Sequence, residues 1–298
     1  PHPTVRPDDC LNSLEADVAI RGEGEHTVLE LCQGKPMEEI HGISFRKNGK
    51  VVHNPERKLI ESLDILPEPA RELFPNNLYK TPATGARFAT VLTSRGCPFF
   101  CIYCNKSNFG RKFRYRSAEN VAKEIMGLIN NYSVEDIYFI DDVFTYDKER
   151  VILLCDLMRK EGVHVKWRCS GGTRIDCINE ELLKHMKDAG CYQISFGVES
   201  GNEIVLKKIG RNVTKSQIRH AFKLSKESGI ETIAFFMLGL PYDTKETMQE
   251  TIDFSIELDP DYAQFTITTP LPETPLWNFV KKRGTFLFNI NLSDFNFF

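Results

Sequence analysis

Residues 93–117 read TSRGCPFFCIYCNKSNFGRKFRYRS. Three cysteines, Cys97, Cys101 and Cys104, fall within eight residues in a C-x3-C-x2-C spacing, flanked by aromatics and followed by a burst of arginine and lysine. Thiolates are soft ligands that suit zinc or iron–sulfur clusters. A structural zinc site closes with a fourth Cys or His nearby. Here the next histidine is His164, and no other cysteines stand in C-x2-C spacing. Three ligands and a missing fourth suit a [4Fe–4S] cluster with one iron open to an external ligand.

Working outward, the same stretch begins a series of strand-like runs: RFATVLTS (87–94), DIYFID (136–141), VKWRCS (165–170), YQISFG (192–197), ETIAFFML (231–238) and YAQFTIT (262–268). Each is short, rich in β-branched and aromatic residues, and continuous enough for burial on both faces. Helical patterns alternate with them. Val121, Ile125, Leu128 and Tyr132 recur on one face behind Ser117, a natural N-cap. Asn179 opens EELLKHMKDAG, with Leu182, Leu183 and Met186 as the apolar stripe and Gly190 as the C′ residue. Thr214 opens a helix ending at Gly229, and Thr244 opens one that stops before Pro260. Six βα units in series imply parallel strands, too few for a closed eight-stranded barrel. The fold class expected is α/β, an open partial (β/α)6 barrel. Its cysteines follow the first strand, at the strand ends where chemistry collects in such folds.

Residues 1–84 read differently. EADVAIRGEGEHTVLELCQG (15–34) is a strand, a Gly-containing turn and a short helix, and GISFRKNGKVVHNP (42–55) is a β-hairpin about Asn48-Gly49. LDILPEPARELFP (63–75) is Pro-studded and reads as a linker. The aromatic tail TFLFNINLSDFNFF (285–298) is expected to pack on the barrel or on further sequence.

Composition narrows the function classes. With 41% hydrophobic residues in 298, the chain can bury a full-size core. A net charge of −3 gives no sign of nucleic acid or an anionic membrane as partner. The run IAFFMLGL (233–240) is far too short to span a bilayer. Nine cysteines, an odd count without a secretory leader, argue against a disulfide framework; the six scattered ones read as small buried hydrophobes. The start on Pro1 is read as a processed, trimmed or partial product. Motifs of hydrolases, kinases and P-loop proteins are missing.

C-x3-C-x2-C directly after the first strand of a partial barrel resembles the radical S-adenosylmethionine (SAM) superfamily, over residues 85 to about 285. The resemblance implies that Cys97, Cys101 and Cys104 ligate a [4Fe–4S] cluster whose open iron chelates SAM. One-electron reduction then cleaves the sulfonium to methionine and a 5′-deoxyadenosyl radical. It implies that Tyr103 contacts the adenine. In FIDDVF (139–144), Asp141 or Asp142 is suited to accept from the SAM ammonium, the alternative being an N-cap or surface pair. In SFGVESGNE (195–203), Glu199 with Ser200 beside it suits the ribose hydroxyls. In RCSGGTRID (168–176), Arg174 would pair with the SAM carboxylate, a substrate anion or a surface acid. In MLGLP (237–241), Gly239 would let backbone approach the adenine, although Tyr242 stands where the family often has glycine. TTPLPETPLW (268–277) is expected to line the mouth. The basic run KSNFGRKFRYR (106–116) is read as a solvated loop, or one covering the cluster and compensating its charge, in preference to a nucleic-acid site.

The N-terminal segment resembles the last strand and helix of a Rossmann-like cobalamin-binding domain, which commonly precedes such barrels. The D-x-H-x-x-G cobalamin motif is absent, so His2 and His26 are not carried over as cobalt ligands. The expected division is a remnant of that domain plus the hairpin (1–60), a linker (61–84) and the barrel (85–298). Cobalamin is expected only in a longer parent protein. The resemblance implies an enzyme of methyl transfer or oxidative cyclisation on an unknown substrate. Its partner would be a one-electron donor of flavodoxin or ferredoxin type, and its location cytoplasmic. Two rivals stand beside it: a non-enzymatic zinc or iron–sulfur module, and a methylthiotransferase-like enzyme, which would want a second cysteine triplet.

Overall fold

Asn48 and Gly49 both take left-handed backbone angles, φ 51° and 76°, as a two-residue type I′ turn demands. They join β2 (Ile43–Lys47) to β3 (Lys50–His53) with Lys47 opposite Lys50, so the hairpin forms where the dipeptide predicts. In the computed structural model, which describes residues 1–13 and 16–284, this hairpin belongs to a three-stranded antiparallel sheet. Its third member is β1 (Val18–Ile20), preceded by the short helices α1 (His2–Val5) and α2 (Pro7–Ser13) and followed by α3 (Glu25–Cys32). Between β3 and the next strand the chain makes three 3-10 turns, at Leu63–Ile65, Arg71–Leu73 and Asn76–Leu78.

The larger layer begins with β4 (Phe88–Val91). The expected strand to residue 94 stops short, because β5 (Ser94–Arg95) leaves the layer and pairs antiparallel with β6 (Arg114–Tyr115). Then come α4 (Ala118–Tyr132), β7 (Asp136–Phe139), α5 (Lys148–Lys160), β8 (Lys166–Thr173), α6 (Glu180–Asp188) and β9 (Cys191–Glu199). After them run α7 (Glu203–Lys208), α8 (Lys215–Glu227), β10 (Glu231–Leu238), α9 (Lys245–Leu258), β11 (Tyr262–Ile267) and α10 (Pro275–Arg283). Strands order as β11-β10-β9-β8-β7-β4, and every neighbouring pair is parallel. The expected open six-stranded α/β barrel is what forms.

Caps start the helices where the sequence places them. Ser117, Asn179, Thr214 and Thr244 each accept a backbone N–H of the first helical turn, Thr214 and Thr244 in reciprocal capping boxes. The apolar faces of α4, α5, α6 and α8 pack on the sheet in one continuous core. Ile137, Ile194, Phe196 and Phe236 face it from the strands. At its centre Phe139 stacks on Phe144 at 4.5 Å, and Trp167 meets both edge-on while its indole N–H donates to the Ala189 carbonyl. Cys155, Cys169 and Cys191 are buried in the same core, as small hydrophobes. Among the described residues no helix is long and apolar enough to cross a membrane. The aromatic tail from residue 285 lies outside the described residues.

Candidate functional site

The cysteine loop, residues 96–113, hangs from the β5–β6 ladder, which is only two residue pairs long. Gly96 turns the chain at φ 84°, and a Cβ there would collide with the Lys112 carbonyl, so only glycine closes this neck. Further along, the loop is docked on two other elements. The Ile102 N–H donates to the Ile209 carbonyl at 3.0 Å, just after α7, and the Ile102 carbonyl accepts from Leu276 N–H at 3.0 Å, in the first turn of α10. The Asn105 amide donates to the Pro272 carbonyl at 3.0 Å. Two separate stretches, the end of α7 and the entry to α10, thus fix the segment that carries Cys101 and Cys104, at the C-terminal end of β4.

Two of the three sulfurs have a cation beside them. Lys106 Nζ donates to Cys97 Sγ and to the Cys97 carbonyl, each at 3.2 Å, and to the Phe99 carbonyl. Arg211 lies beside Cys101. Cys104 Sγ lies 3.9 Å from the Asn105 carbonyl. Desolvation in the crowded loop lifts the Cys104 thiol to about 11, with Lys106 opposing and the Cys101 and Cys97 sulfurs adding, although the residue as a whole is exposed. The thiols face different partners, and among the described residues no three Cys, His, Asp or Glu side chains converge at metal-binding distance.

Glu199 ends β9 in a left-handed conformation, φ 70°. For a residue with a Cβ this costs on the order of 1–3 kcal/mol, which surrounding contacts must offset. Its carboxyl lies beside the Tyr103 hydroxyl and faces Arg211. Gly197 makes the room: a Cβ there would strike both Glu199 Oε1 and Arg211 Nη2. Burial pushes the Glu199 carboxyl up, with Arg211 and Tyr103 pulling back, and burial followed by Glu199 pushes the Tyr103 hydroxyl up. The loop tyrosine and the strand-end glutamate, singled out from separate motifs, therefore meet. Arg211, which joins them and also donates to the Gly197 carbonyl, was not foreseen. Nothing in IGRNVT distinguishes it from a surface arginine, and only burial at 6% exposure reveals it.

The other expected site residues have partners of their own. Asp141 is 1% exposed, and its carboxylate is taken by Thr93 N–H at 3.1 Å and 3.2 Å, Thr93 Oγ1 at 2.7 Å and Ser94 Oγ at 2.5 Å. It therefore fastens the exit of β4. Burial still raises its carboxyl, against the Ser94 and Thr93 bonds. Its neighbour Asp142 is exposed beside the loop, near Lys106 and the Gly96 N–H; desolvation raises its carboxyl and both of these oppose the rise. Ser200 is fully buried and bonded to Thr251 Oγ1 and Asn202 N–H, so it anchors the β9–α7 turn. Arg174 pairs bidentately with Asp176 at 2.8 Å and lies 3.6 Å over the Phe99 ring, which leaves Nη1 without a partner. Gly239 has φ 77° with open space where a Cβ would stand.

The basic run is solvated only in part: Arg111 and Lys112 are exposed, whereas Arg114 is buried. Arg114 bonds Glu23, Arg116 bonds Glu124, Lys112 bonds Glu61 and Arg111 lies 4.0 Å over Phe100. Of the expected charge compensation only Lys106, at Cys97, is seen.

An open parallel barrel with a three-thiol loop at its first strand end defines the class of protein. The chain belongs to the radical SAM superfamily, whose model matches residues 91–255. It is 39% identical over 285 residues to an uncharacterised methyltransferase of Pyrococcus horikoshii, covering 94% of this chain and 61% of that protein. It is 30% identical over 271 residues to the anaerobic magnesium-protoporphyrin IX monomethyl ester cyclase of Cereibacter sphaeroides, covering 88% of this chain and 44% of that protein. The chain thus spans about half the length of these relatives. In fold it matches the radical SAM methyltransferase TsrM of Kitasatospora setae, solved with cobalamin and a [4Fe-4S] cluster, with TM-score 0.77 at 18% identity over 95% of this chain and 56% of that one. The donor set fits such a cluster in kind: three soft thiols on one loop, cations at two of them. Each thiol swings on a single side-chain torsion, so convergence asks for rotamer changes.

Proposed function

We propose that this chain is the catalytic barrel of a radical SAM enzyme acting in methyl transfer or oxidative cyclisation. Cys97, Cys101 and Cys104 hold a [4Fe–4S] cluster and leave one iron for SAM. When bound, the cluster supplies the electron that cleaves SAM to methionine and a 5′-deoxyadenosyl radical. Lys106 and Arg211 offset the negative charge of the thiolates. Tyr103 and Glu199 form the wall where adenosine lies, Glu199 accepting from its hydroxyls. Asp142 takes the ammonium role that Asp141 is too enclosed to fill, and Gly239 leaves the far wall open. Arg174 holds Phe99 and keeps one N–H for a carboxylate. Asp141 and Ser200 act behind the site, on the strand ends that carry it.

The observation that carries this reading is the meeting of Tyr103, from the cysteine loop, with Glu199, from the end of β9, across Arg211. A bare zinc site would have no use for that buried cluster. The division into a cobalamin-domain remnant (1–60), linker (61–84) and barrel (85–298) suits the similarity to longer proteins, and cobalamin would belong to the longer parent. The reductant is a one-electron protein donor of flavodoxin or ferredoxin type, in the cytoplasm. The test is product analysis under anaerobic, reducing conditions. The reconstituted chain should convert SAM to methionine and 5′-deoxyadenosine, and Cys101→Ala should not. A fully iron-loaded chain that leaves SAM intact would overturn the proposal.

A further inference from the structure

The turn Arg21–Glu25 carries a buried carboxylate that none of the chemistry above uses. Glu23 lies on the loop between β1 and α3, far from the cysteines in sequence, with its side chain 2% exposed. Its Oε1 accepts from Arg95 Nη1 at 2.9 Å and Arg114 Nη1 at 2.8 Å; its Oε2 accepts from Arg114 Nη1 at 2.9 Å and from the Ile60 N–H at 2.7 Å. Arg114, itself 2% exposed in its side chain, also donates to the Ile60 carbonyl at 2.7 Å and to the Phe109 carbonyl at 2.9 Å. Arg95 gives its other arm to Glu25. Arg95 and Arg114 are direct partners across the β5–β6 ladder.

This ladder is the neck from which the cysteine loop hangs, and two residue pairs are too few to hold a ribbon by themselves. Arg95 lies two positions before Cys97, and Phe109, whose carbonyl Arg114 takes, lies across the loop from it. One carboxylate therefore grips both sides of the neck, and through Arg114 the inside of the loop as well. Taking Glu23 away would leave Arg114 without a counter-ion in a buried place, where unpaired charge is poorly tolerated, and Arg95 tied to Glu25 alone.

We propose that Glu23 is a positioning residue for the cluster: it closes the neck of the cysteine loop and thereby makes the N-terminal segment a condition of holding the metal group. The proposal rests on the cluster reading above. It explains why the N-terminal segment is bonded to the loop by buried ion pairs and not by surface contacts alone.

The test compares wild type, Glu23→Gln, Glu23→Asp and Cys101→Ala, each as the full chain reconstituted without oxygen. Readouts are iron and sulfide content, the rate of iron loss to a chelator, the electron paramagnetic resonance line shape of the reduced protein, and the rate of trypsin cleavage at Arg111 and Lys112 in the iron-free form. In E23Q we expect iron loss about tenfold faster, the scale at which residues behind a metal's ligands act. A changed line shape and faster cleavage should accompany it, with wild-type circular dichroism and partial rescue in E23D. A folded E23Q with wild-type iron retention, line shape and cleavage would overturn the proposal. Should E23Q fail to fold, Arg95→Lys, which keeps the charge but loses the two-armed link to Glu23 and Glu25, decides by the same readouts. If Cys101→Ala retains iron as well as wild type does, the cluster reading itself fails, a result distinct from either outcome at Glu23.

Discussion

The two edges of the six-stranded sheet are built to opposite rules. Along β4 the chain's own linker closes the edge. The Phe88 N–H donates to the Tyr79 carbonyl at 3.1 Å, Lys80 and Arg87 form an antiparallel bridge, and Arg71 Nη2 donates to the Thr90 carbonyl at 2.9 Å. Arg71 and Arg116 then converge on Glu124, whose side chain is 4% exposed. At the other edge all six residues of β11 are exposed, Ile267 at 77% among them. The closed edge is the one that carries the cysteine loop. Among the described residues, then, the edge beside the cysteine loop's neck is covered and the β11 edge is not.

Perturbations graded across the sheet sharpen that contrast. The largest effect is expected between the edges, where Trp167→Ala empties the fully buried centre and should cost about 3–5 kcal/mol in urea unfolding. At the closed edge, Glu124→Ala strips both arginines of their partner and should cost about 3 kcal/mol, since breaking a buried pair leaves its charge uncompensated. A cost near zero there would mean that the linker adds nothing to the edge it covers.

A smaller, pH-dependent effect belongs to Asp136, at the start of β7. Burial raises its carboxyl, while Tyr192, which donates to it at 2.9 Å, and then Arg168, Thr81 and Lys166 pull it back. A raised folded-state value means that the native protein holds the proton more tightly than the unfolded chain does. The stability gained is present at low pH and lost as pH rises through the folded value. Melting temperatures of wild type and Asp136→Asn, taken from pH 4 to 8, should therefore diverge as pH rises, with the variant gaining relative to wild type. Divergence in the other direction would show that Tyr192 and the cations outweigh burial. The smallest change is expected at the open edge: Ile267→Lys should shift stability by no more than about 0.5 kcal/mol.

What the sequence made legible follows the same physics. A strand buried on both faces must be a nearly continuous apolar run, so β9 stands out from its surroundings, whereas β8 and β10 alternate between buried and more exposed positions. Helices capped by Ser117, Asn179, Thr214 and Thr244 announce their starts. The β5–β6 ladder has too few residues for any periodicity, and α10 hides in a proline-rich stretch where Pro275 sits at the one helical turn that tolerates it. Among site residues, Tyr103 and Glu199 could be singled out because a motif or a strand end marked them. Arg211 and Glu23 carry no such mark. Their importance lies in what surrounds them, and a buried charge looks in sequence like any surface one. Asp141 and Asp142 show the limit most sharply. They are adjacent and chemically identical, yet the turn of the chain encloses the first and presents the second.

The central claim is that three thiols leave one iron open to SAM. The direct measurement is electron paramagnetic resonance on protein reconstituted without oxygen and then reduced, with and without SAM, alongside an iron and sulfide count. The account predicts about four irons per chain, the content of one [4Fe–4S] cluster, and a spectrum that shifts when SAM is added. Zinc in place of iron, or a cluster whose spectrum ignores SAM, would contradict it.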